Sequence, residues 1–143
     1  MRGATRILRA MGTRRGALTG IHVLVAEDND DAREILRTVL EYFGALVTAA
    51  HNARGALKAM RGVVPDVVIA DVRLGDRDAM WLVREARKVS VKAPVIAVSG
   101  FDFEEHRLQE HGFAAYLRKP VDHDRLIDTV LAVVHGGLSD RAG

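Results

Sequence analysis

Two alternating residue patterns constrain what this chain can fold into. From residue 21 onward, short aliphatic runs alternate with segments whose apolar residues recur every three or four positions. Runs of this length are typical of strands buried on both faces, and the longer spacing is typical of amphipathic helices. The sequence predicts five strands, at residues 21–26, 45–49, 66–70, 94–98 and 113–117.

A helical pattern follows each predicted strand. Polar residues that favour helix starts precede four of these segments, and glycines stop most of them. The predicted caps are Asn29 or Asp30, Asn52, Asp102 and Asp122, and the third helix is marked by Met80, Leu82, Val83 and Ala86. Alternating strands and helices predict an α/β domain, with a mostly parallel sheet covered on both faces.

Charge and length set the expected boundaries of this domain. A chain of 143 residues is the usual size of one domain. Residues 1–20 hold five arginines and no acid, and they show little apolar periodicity. We therefore expect a disordered basic extension over residues 1–19, the folded domain over 20–137, and a short tail over 138–143.

The composition also excludes several classes of protein. The sequence contains no cysteine, so disulfides, thiolate zinc sites and cysteine nucleophiles are ruled out. No apolar run approaches the roughly 20 residues that a membrane-spanning helix requires. The region after residue 20 carries more acidic than basic groups and shows no basic stripe of the kind that tracks nucleic acid.

Polar residues follow four of the five predicted strands. Glu27 and Asp28 follow the first strand, Asp71 the third, Ser99 the fourth and Lys119 the fifth. Ligands of such sheets bind at the carboxyl ends of the strands, so these side chains are expected to face one crevice. Three converging carboxylates repel one another, and their hard oxygen ligands suit Mg²⁺. The lysine and the hydroxyl supply donors for a bound anion.

The same residues belong to blocks with a characteristic order and spacing. The blocks are VLVAED at 23–28, PDVVIAD at 65–71, Leu74 and Asp78, PVIAVSG at 94–100, and YLRKP at 116–120. On these blocks the chain resembles the receiver domain of two-component response regulators over residues 20–136, in a stand-alone form like the chemotaxis regulators. The resemblance implies a flavodoxin-like (βα)5 doubly wound sandwich with a five-stranded parallel sheet in the order 2-1-3-4-5.

The resemblance also implies the chemistry of the site. Asp71 would be the phosphoacceptor, forming an acyl phosphate with a phosphoryl group from a kinase histidine. Asp28, Asp71 and the backbone carbonyl of Arg73 would hold Mg²⁺, with Glu27 acting through water. Lys119 would pair with Asp71 or with the phosphoryl group.

A second set of residues would transmit the signal. By the resemblance, Ser99 would move to the phosphoryl oxygen and Tyr116 would follow inward. This movement would alter the face built from the fourth helix, the fifth strand and the fifth helix. The family also has a cis peptide bond at the position that matches Lys119–Pro120.

Five positions depart from the family's usual residues or vary within it. Glu27 replaces the commoner aspartate, Gly75 stands where proline is usual and should loosen the loop, and Ala79 stands where glycine is usual. Arg73 and Phe101 occupy the positions that tune the lifetime of the phosphoryl group. None of these departures removes a residue that the chemistry needs.

The resemblance implies partners as well. The donor would be a sensor histidine kinase or a histidine phosphotransfer protein in the cytoplasm, and the target a protein that binds the altered face. A phosphorylation-dependent homodimer is left open. Only six residues follow Gly137, so no DNA-binding domain is expected in this chain, and no membrane association.

Other functions compete with the switch, which would not be an enzyme acting on an external substrate. A haloacid-dehalogenase-type phosphatase also uses an aspartyl phosphate, but it requires a second aspartate where this chain has Arg73. A scaffold receiver that works without phosphorylation is a further alternative, and so is a receiver fragment of a larger hybrid kinase.

Overall fold

The structure, a computed structural model, describes residues 14–100 and 105–136, except for the side chains of residues 105 and 106. Strands and helices alternate throughout these residues. The strands are β1 (His22–Ala26), β2 (Leu46–Ala50), β3 (Val67–Asp71), β4 (Val95–Ser99) and β5 (Ala115–Arg118). The helices are α1 (Asp30–Tyr42), α2 (Ala53–Gly62), α3 (Ala79–Lys88), α4 (Glu105–Glu110) and α5 (His123–Val134).

The five strands form one parallel sheet in the order β2-β1-β3-β4-β5. This confirms the predicted order 2-1-3-4-5. Each strand begins one or two residues later than the aliphatic run that predicted it. At the first strand the cause is visible, because the Ile21 N–H donates to the Leu18 carbonyl rather than to a neighbouring strand. At the third strand the shift makes Asp71 the last residue of β3, where it pairs with Val98.

Side-chain caps fix the starts of the helices. Asn29, Asn52 and Asp122 accept backbone N–H bonds at the starts of α1, α2 and α5, as predicted. Asp78 caps α3 in the same way, and Asp102, the cap predicted for α4, lies outside the described residues. The described helices are 6 to 13 residues long, and none of them combines the length and apolar character that crossing a bilayer requires.

The sheet separates two apolar clusters, because successive side chains of a strand point to opposite faces. On β1, Leu24 packs into the cluster that contains α2 and α3, while Val23 and Val25 pack into the cluster that contains α1 and α5. Both faces are therefore covered, and the carboxyl ends of the strands form a continuous edge. This arrangement is the flavodoxin-like doubly wound fold.

The folded region begins earlier than predicted, with a turn segment formed by residues 14–20. Leu18 is fully buried in the cluster beneath α1 and α5, and its N–H donates to the Phe43 carbonyl at 2.9 Å. The expected disordered extension over residues 1–19 is thus corrected for residues 14–19. Its remainder lies outside the described residues, as does the tail expected over 138–143.

Ionic contacts hold the same segment against α5. The Arg14 guanidinium lies 3.3 Å from Asp124 and 2.6 Å from Asp128. Gly44, at φ +100°, lets the segment pass close by, because a Cβ at that position would lie 2.7 Å from the Thr19 hydroxyl oxygen. A single apolar residue among glycines gives no periodic signal, so the sequence pattern did not reveal this packing.

Candidate functional site

The carboxyl edge of the sheet brings together the acidic residues that the sequence singled out. Glu27 and Asp28 follow β1, and Asp71 ends β3, the neighbouring strand. One carboxylate oxygen from each of the three lies within 4.8 Å of the other two. Glu27 is buried, Asp71 is largely buried and Asp28 is exposed. The cluster therefore has a closed inner side and an open outer side.

Lys119 connects the carboxylates across the sheet. Its Nζ donates to Asp71 Oδ2 at 2.6 Å and to Glu27 Oε1 at 3.1 Å. Burial alone would lower the pKa of Lys119, but the hydrogen bonds to Asp71 and Glu27 outweigh it and raise the pKa. The ammonium therefore stays charged. The cis peptide bond expected between Lys119 and Pro120 is confirmed.

Glu27 is the most unusual ionisable group of the site. Its side chain is 2% exposed, and burial, with the neighbouring Asp71, raises its pKa to about 7 although Lys119 opposes this. Its Oε2 is buried without a hydrogen-bond partner. A buried oxygen in that condition is costly unless a partner satisfies it. An orphaned oxygen beside two further carboxylates suits a cation.

Asp71 is shifted in the opposite direction. Burial pushes its pKa up, but hydrogen bonds with Glu27 and Lys119 and from the Arg73 N–H outweigh it, and the pKa lies below its usual value. The Arg73 N–H donates to Asp71 Oδ1 at 3.1 Å. Of the two coupled carboxylates, Glu27 holds a proton more readily and Asp71 stays ionised. An ionised carboxylate is the form that can act as a nucleophile.

The donor set fits Mg²⁺. Glu27, Asp28 and Asp71 present only oxygen ligands, which Mg²⁺ prefers, and it is commonly held by one or two carboxylates with several waters. The exposed position of Asp28 leaves room for those waters. Lys119 neutralises part of the negative charge but occupies Glu27 Oε1 rather than Oε2.

The loop that follows Asp71 is held by its own hydrogen bonds. Arg73 forms an isolated antiparallel bridge with Asp78, and the Leu74 N–H donates to the Arg77 carbonyl at 3.2 Å. Gly75 has φ +80°, which proline cannot adopt because its ring fixes φ near −65°. Hydrogen bonds thus fix the loop at the place where proline is usual in the family.

Asp76 is a residue of this loop whose role the sequence did not reveal. Its Oδ1 accepts the N–H of Ala53 at 2.9 Å, and its Oδ2 accepts that of Arg54 at 3.2 Å. These two groups lie at the start of α2, more than 20 positions earlier in the chain. No local pattern could indicate the contact, since Asp76 reads as an ordinary turn residue.

The residues expected to transmit a signal lie beside the cluster. Ser99 ends β4 and is buried. Tyr116, on β5, is half-buried, and its hydroxyl lies 3.5 Å from the Ser99 carbonyl oxygen, at the outer limit for a hydrogen bond. A cleft of about 570 Å³ adjoins it, lined by residues 116–122 and Arg125.

Arg73 and Phe101 were expected to tune the phosphoryl lifetime, and only Arg73 is among the described residues. Arg73 is exposed in the loop after Asp71. Phe101 lies outside the described residues. Ala79, the third departure from the family pattern, is fully buried at the start of α3, and its N–H donates to the Val72 carbonyl.

Comparisons with known proteins agree with this geometry. Residues 23–131 match the family model described as the response regulator receiver domain. An uncharacterised 14.6 kDa protein of Leptolyngbya boryana is 36% identical over 117 residues, which cover 79% of this chain and 89% of that protein. The polar-differentiation response regulator DivK of Brucella anthropi is 29% identical, over 76% of this chain and 91% of its own.

Other relatives are much longer. The transcriptional regulatory protein ZraR of Salmonella typhimurium is 30% identical over 77% of this chain, but the match covers only 25% of ZraR. The likeness to that protein is therefore confined to a quarter of its length.

Solved structures share the fold. A Francisella response regulator receiver domain superposes with a TM-score of 0.75 at 29% identity, covering 81% of this chain and 98% of that one. A receiver domain from Methylobacillus flagellatus gives a TM-score of 0.71 at 28% identity, with 81% and 98% coverage. The chain belongs to the response regulator receiver domain family.

Proposed function

We propose that this protein is a phosphorylation switch of a histidine-to-aspartate relay, with Asp71 as the phosphoacceptor. Receiver domains are phosphoryl-accepting signalling switches. The observation that carries the proposal is the contact of Asp71 with Lys119 at 2.6 Å, beside the carboxylates of Glu27 and Asp28. An ionised, partly exposed nucleophile stands there next to a fixed cation.

The proposed transfer uses groups that are already in position. A carboxylate oxygen of Asp71 forms a bond to phosphorus while the phosphorus–nitrogen bond of a phosphohistidine breaks, and the imidazole nitrogen keeps the electron pair. Lys119 offers a positive charge to the oxygens around the reacting phosphorus. The low pKa of Asp71 keeps its carboxylate available at neutral pH.

The proposed ligands of Mg²⁺ are Asp28, Asp71 and the backbone carbonyl of Arg73. Glu27 would contact the ion through a water molecule. When bound, Mg²⁺ supplies positive charge to the phosphoryl oxygens. Glu27 must then release its proton, because a protonated carboxylic acid is a poor ligand. Its buried Oε2 has no other hydrogen-bond partner among the described residues.

Ser99 and Tyr116 are the proposed reporters of phosphorylation. In this proposal Ser99 turns toward the phosphoryl group, and Tyr116 leaves its present position near the Ser99 carbonyl. The face of α4, β5 and α5, with its cleft of about 570 Å³, would change shape and bind a protein target. The proposed donor is a sensor histidine kinase or a phosphotransfer protein, and the likeness to DivK supports a role as a regulator.

Intact-mass measurement after incubation with acetyl phosphate and Mg²⁺ tests the proposal. The wild type is expected to gain about 80 Da, the mass of one phosphoryl group, and Asp71→Asn is expected to gain nothing. Asp66→Asn is the matched control. Asp66 is an exposed aspartate that precedes β3 at the opposite end of the sheet, so this variant should label like the wild type.

The alternatives predict other results. Full labelling of Asp71→Asn would show that a different residue accepts the phosphoryl group. A wild type that gains no mass, with this donor or with a phosphorylated histidine kinase, would favour a scaffold that works without phosphorylation.

A further inference from the structure

A contact that the proposed function does not use links the loop after Asp71 to the start of α2. Besides the N–H groups of Ala53 and Arg54, Asp76 Oδ1 accepts the N–H of Arg77 at 2.8 Å. Burial would raise the pKa of Asp76, but these N–H groups outweigh it and hold the pKa below its usual value. The carboxylate is therefore charged, and it satisfies two of the four free N–H groups of the helix start.

Asn52 already provides the ordinary cap of this helix, by accepting the Gly55 N–H at 2.7 Å. Asp76 consequently adds a tether between two separate segments rather than replacing a missing cap. The other end of the tether is the loop that carries Arg73, whose N–H bonds Asp71 Oδ1. A charge-assisted bond of this kind is stronger than a neutral one.

The tether adds a restraint to the backbone next to Asp76, beyond the hydrogen bonds within the loop. Gly75 has φ +80°, and because it has no side chain its backbone is less restricted than that of other residues. It also lies close to the cluster, since a Cβ at Gly75 would be 3.6 Å from Asp28 Oδ2. Movement of this loop would therefore displace both the Arg73 backbone and the surroundings of Asp28.

We propose that Asp76 is a positioning residue for Mg²⁺ binding, which holds the loop at residues 72–78 against α2 so that the Arg73 carbonyl stays in place. The inference rests on the proposed function, because that function assigns the metal to this edge. The hydrogen bonds of Asp76 in the described part of the chain go to Ala53, Arg54 and Arg77 and not to the carboxylate cluster, so Asp76 acts through the loop. Coupling of this kind is reciprocal, so bound Mg²⁺ must in turn stabilise the contact between Asp76 and α2.

Amide NMR titration with Mg²⁺ tests the tether. Asp76→Ala is expected to raise the dissociation constant about tenfold, an effect of about 1.4 kcal/mol. Asp66→Ala is the matched control, because Asp66 Oδ2 also accepts a backbone N–H from another element, that of His22 at 2.8 Å, but at the far end of the sheet. Both variants lose a carboxylate-to-backbone bond, and only Asp76→Ala should weaken Mg²⁺ binding.

Two further measurements keep the inference testable if Asp76→Ala does not fold. Asp76→Asn should weaken binding less, because its amide keeps an acceptor for Ala53 but presents a donor toward the Arg54 N–H. In the wild type, Mg²⁺ should slow hydrogen exchange at the amides of Ala53 and Arg54 more than at the amide of His22.

The outcomes separate this inference from the proposed function. Wild-type binding of Mg²⁺ with an Asp76→Ala affinity within about twofold of it, or equal weakening by Asp66→Ala, would overturn the positioning role alone. Should Asp76→Ala not fold, unchanged affinity in Asp76→Asn together with unchanged exchange at Ala53 and Arg54 would overturn it. A wild type that binds no Mg²⁺ would overturn both proposals.

Discussion

At the scale of single residues, two neighbouring carboxylates have opposite properties. Burial and the charge of Asp71 raise the pKa of Glu27 to about 7, whereas hydrogen bonds with Glu27 and Lys119 and from the Arg73 N–H outweigh burial and lower that of Asp71. Sequence reasoning identified both residues because each follows a strand. The difference between them depends on depth beneath the surface and on which oxygens Lys119 reaches, and neither can be read from spacing.

The shift of Glu27 predicts how stability depends on pH in the metal-free protein. The folded state keeps a proton on Glu27 up to about pH 7, while the unfolded chain releases it near 4.5. The free energy of unfolding should therefore fall as pH rises through that window, by about 1–3 kcal/mol. Glu27→Gln should remove most of this slope in urea denaturation curves measured from pH 4.5 to 7.5.

The two groups in contact with Glu27, Asp71 and Lys119, make their contributions outside that pH window. Asp71 has a lowered pKa, so its contribution is present above its ordinary value of 3.8 and is lost only in more acidic solution. Lys119 contributes stability that is lost only in strongly alkaline solution, since its pKa is raised from 10.5. An identical slope in wild type and Glu27→Gln would contradict the assignment of the proton to Glu27.

At the scale of elements, prediction succeeded where a pattern repeats locally. The strands and three helix caps follow from aliphatic runs and from Asn or Asp before a helix. The sequence patterns did not predict the turn segment at residues 14–20 or the contact of Asp76 with α2. Both depend on partners distant in the sequence, such as Phe43 for Leu18 and Ala53 for Asp76.

Gly44 offers a test of how closely the turn segment packs. A Cβ at this position would lie 2.7 Å from Thr19 Oγ1 and 3.1 Å from the Thr19 nitrogen, and φ is +100°. Gly44→Ala should therefore lower the free energy of unfolding by about 1–3 kcal/mol.

Gly62→Ala is the control for that substitution. Gly62 lies in α2, and a Cβ there would have no atom within 4 Å. Alanine has a higher helix propensity than glycine, so this variant should be as stable as the wild type or slightly more stable. Urea denaturation of the three proteins would provide the comparison, and equal stability of Gly44→Ala and wild type would contradict the close packing.

At the scale of the whole molecule, the domain starts before its first strand. Leu18 is fully buried, and Arg14 contacts two carboxylates of α5. The sheet order could be expected from the family resemblance, whereas the packing of the turn segment at residues 14–20 could not. The carboxylate cluster and its contact with Lys119 likewise depend on the global fold, because they join the ends of β1, β3 and β5.

Two shortened chains test the position of that boundary. A chain that begins at Arg14 retains every contact described above. A chain that begins at Ile21 loses Leu18 from the core, and removing a buried leucine side chain typically costs about 2–5 kcal/mol. Thermal unfolding should rank the second chain clearly below the first, and equal midpoints would show that residues 14–20 add no stability.

The bond between Lys119 and Glu27 joins residues 92 positions apart. A growing chain leaves the ribosome with its N-terminus first, so Asp71 emerges well before Lys119. Until β5 has emerged and joined the sheet, Lys119 cannot lie against the carboxylates of Glu27 and Asp71. A nascent chain therefore cannot carry the complete cluster, with Lys119 against Glu27 and Asp71, until β5 and Lys119 have been made and have joined the sheet.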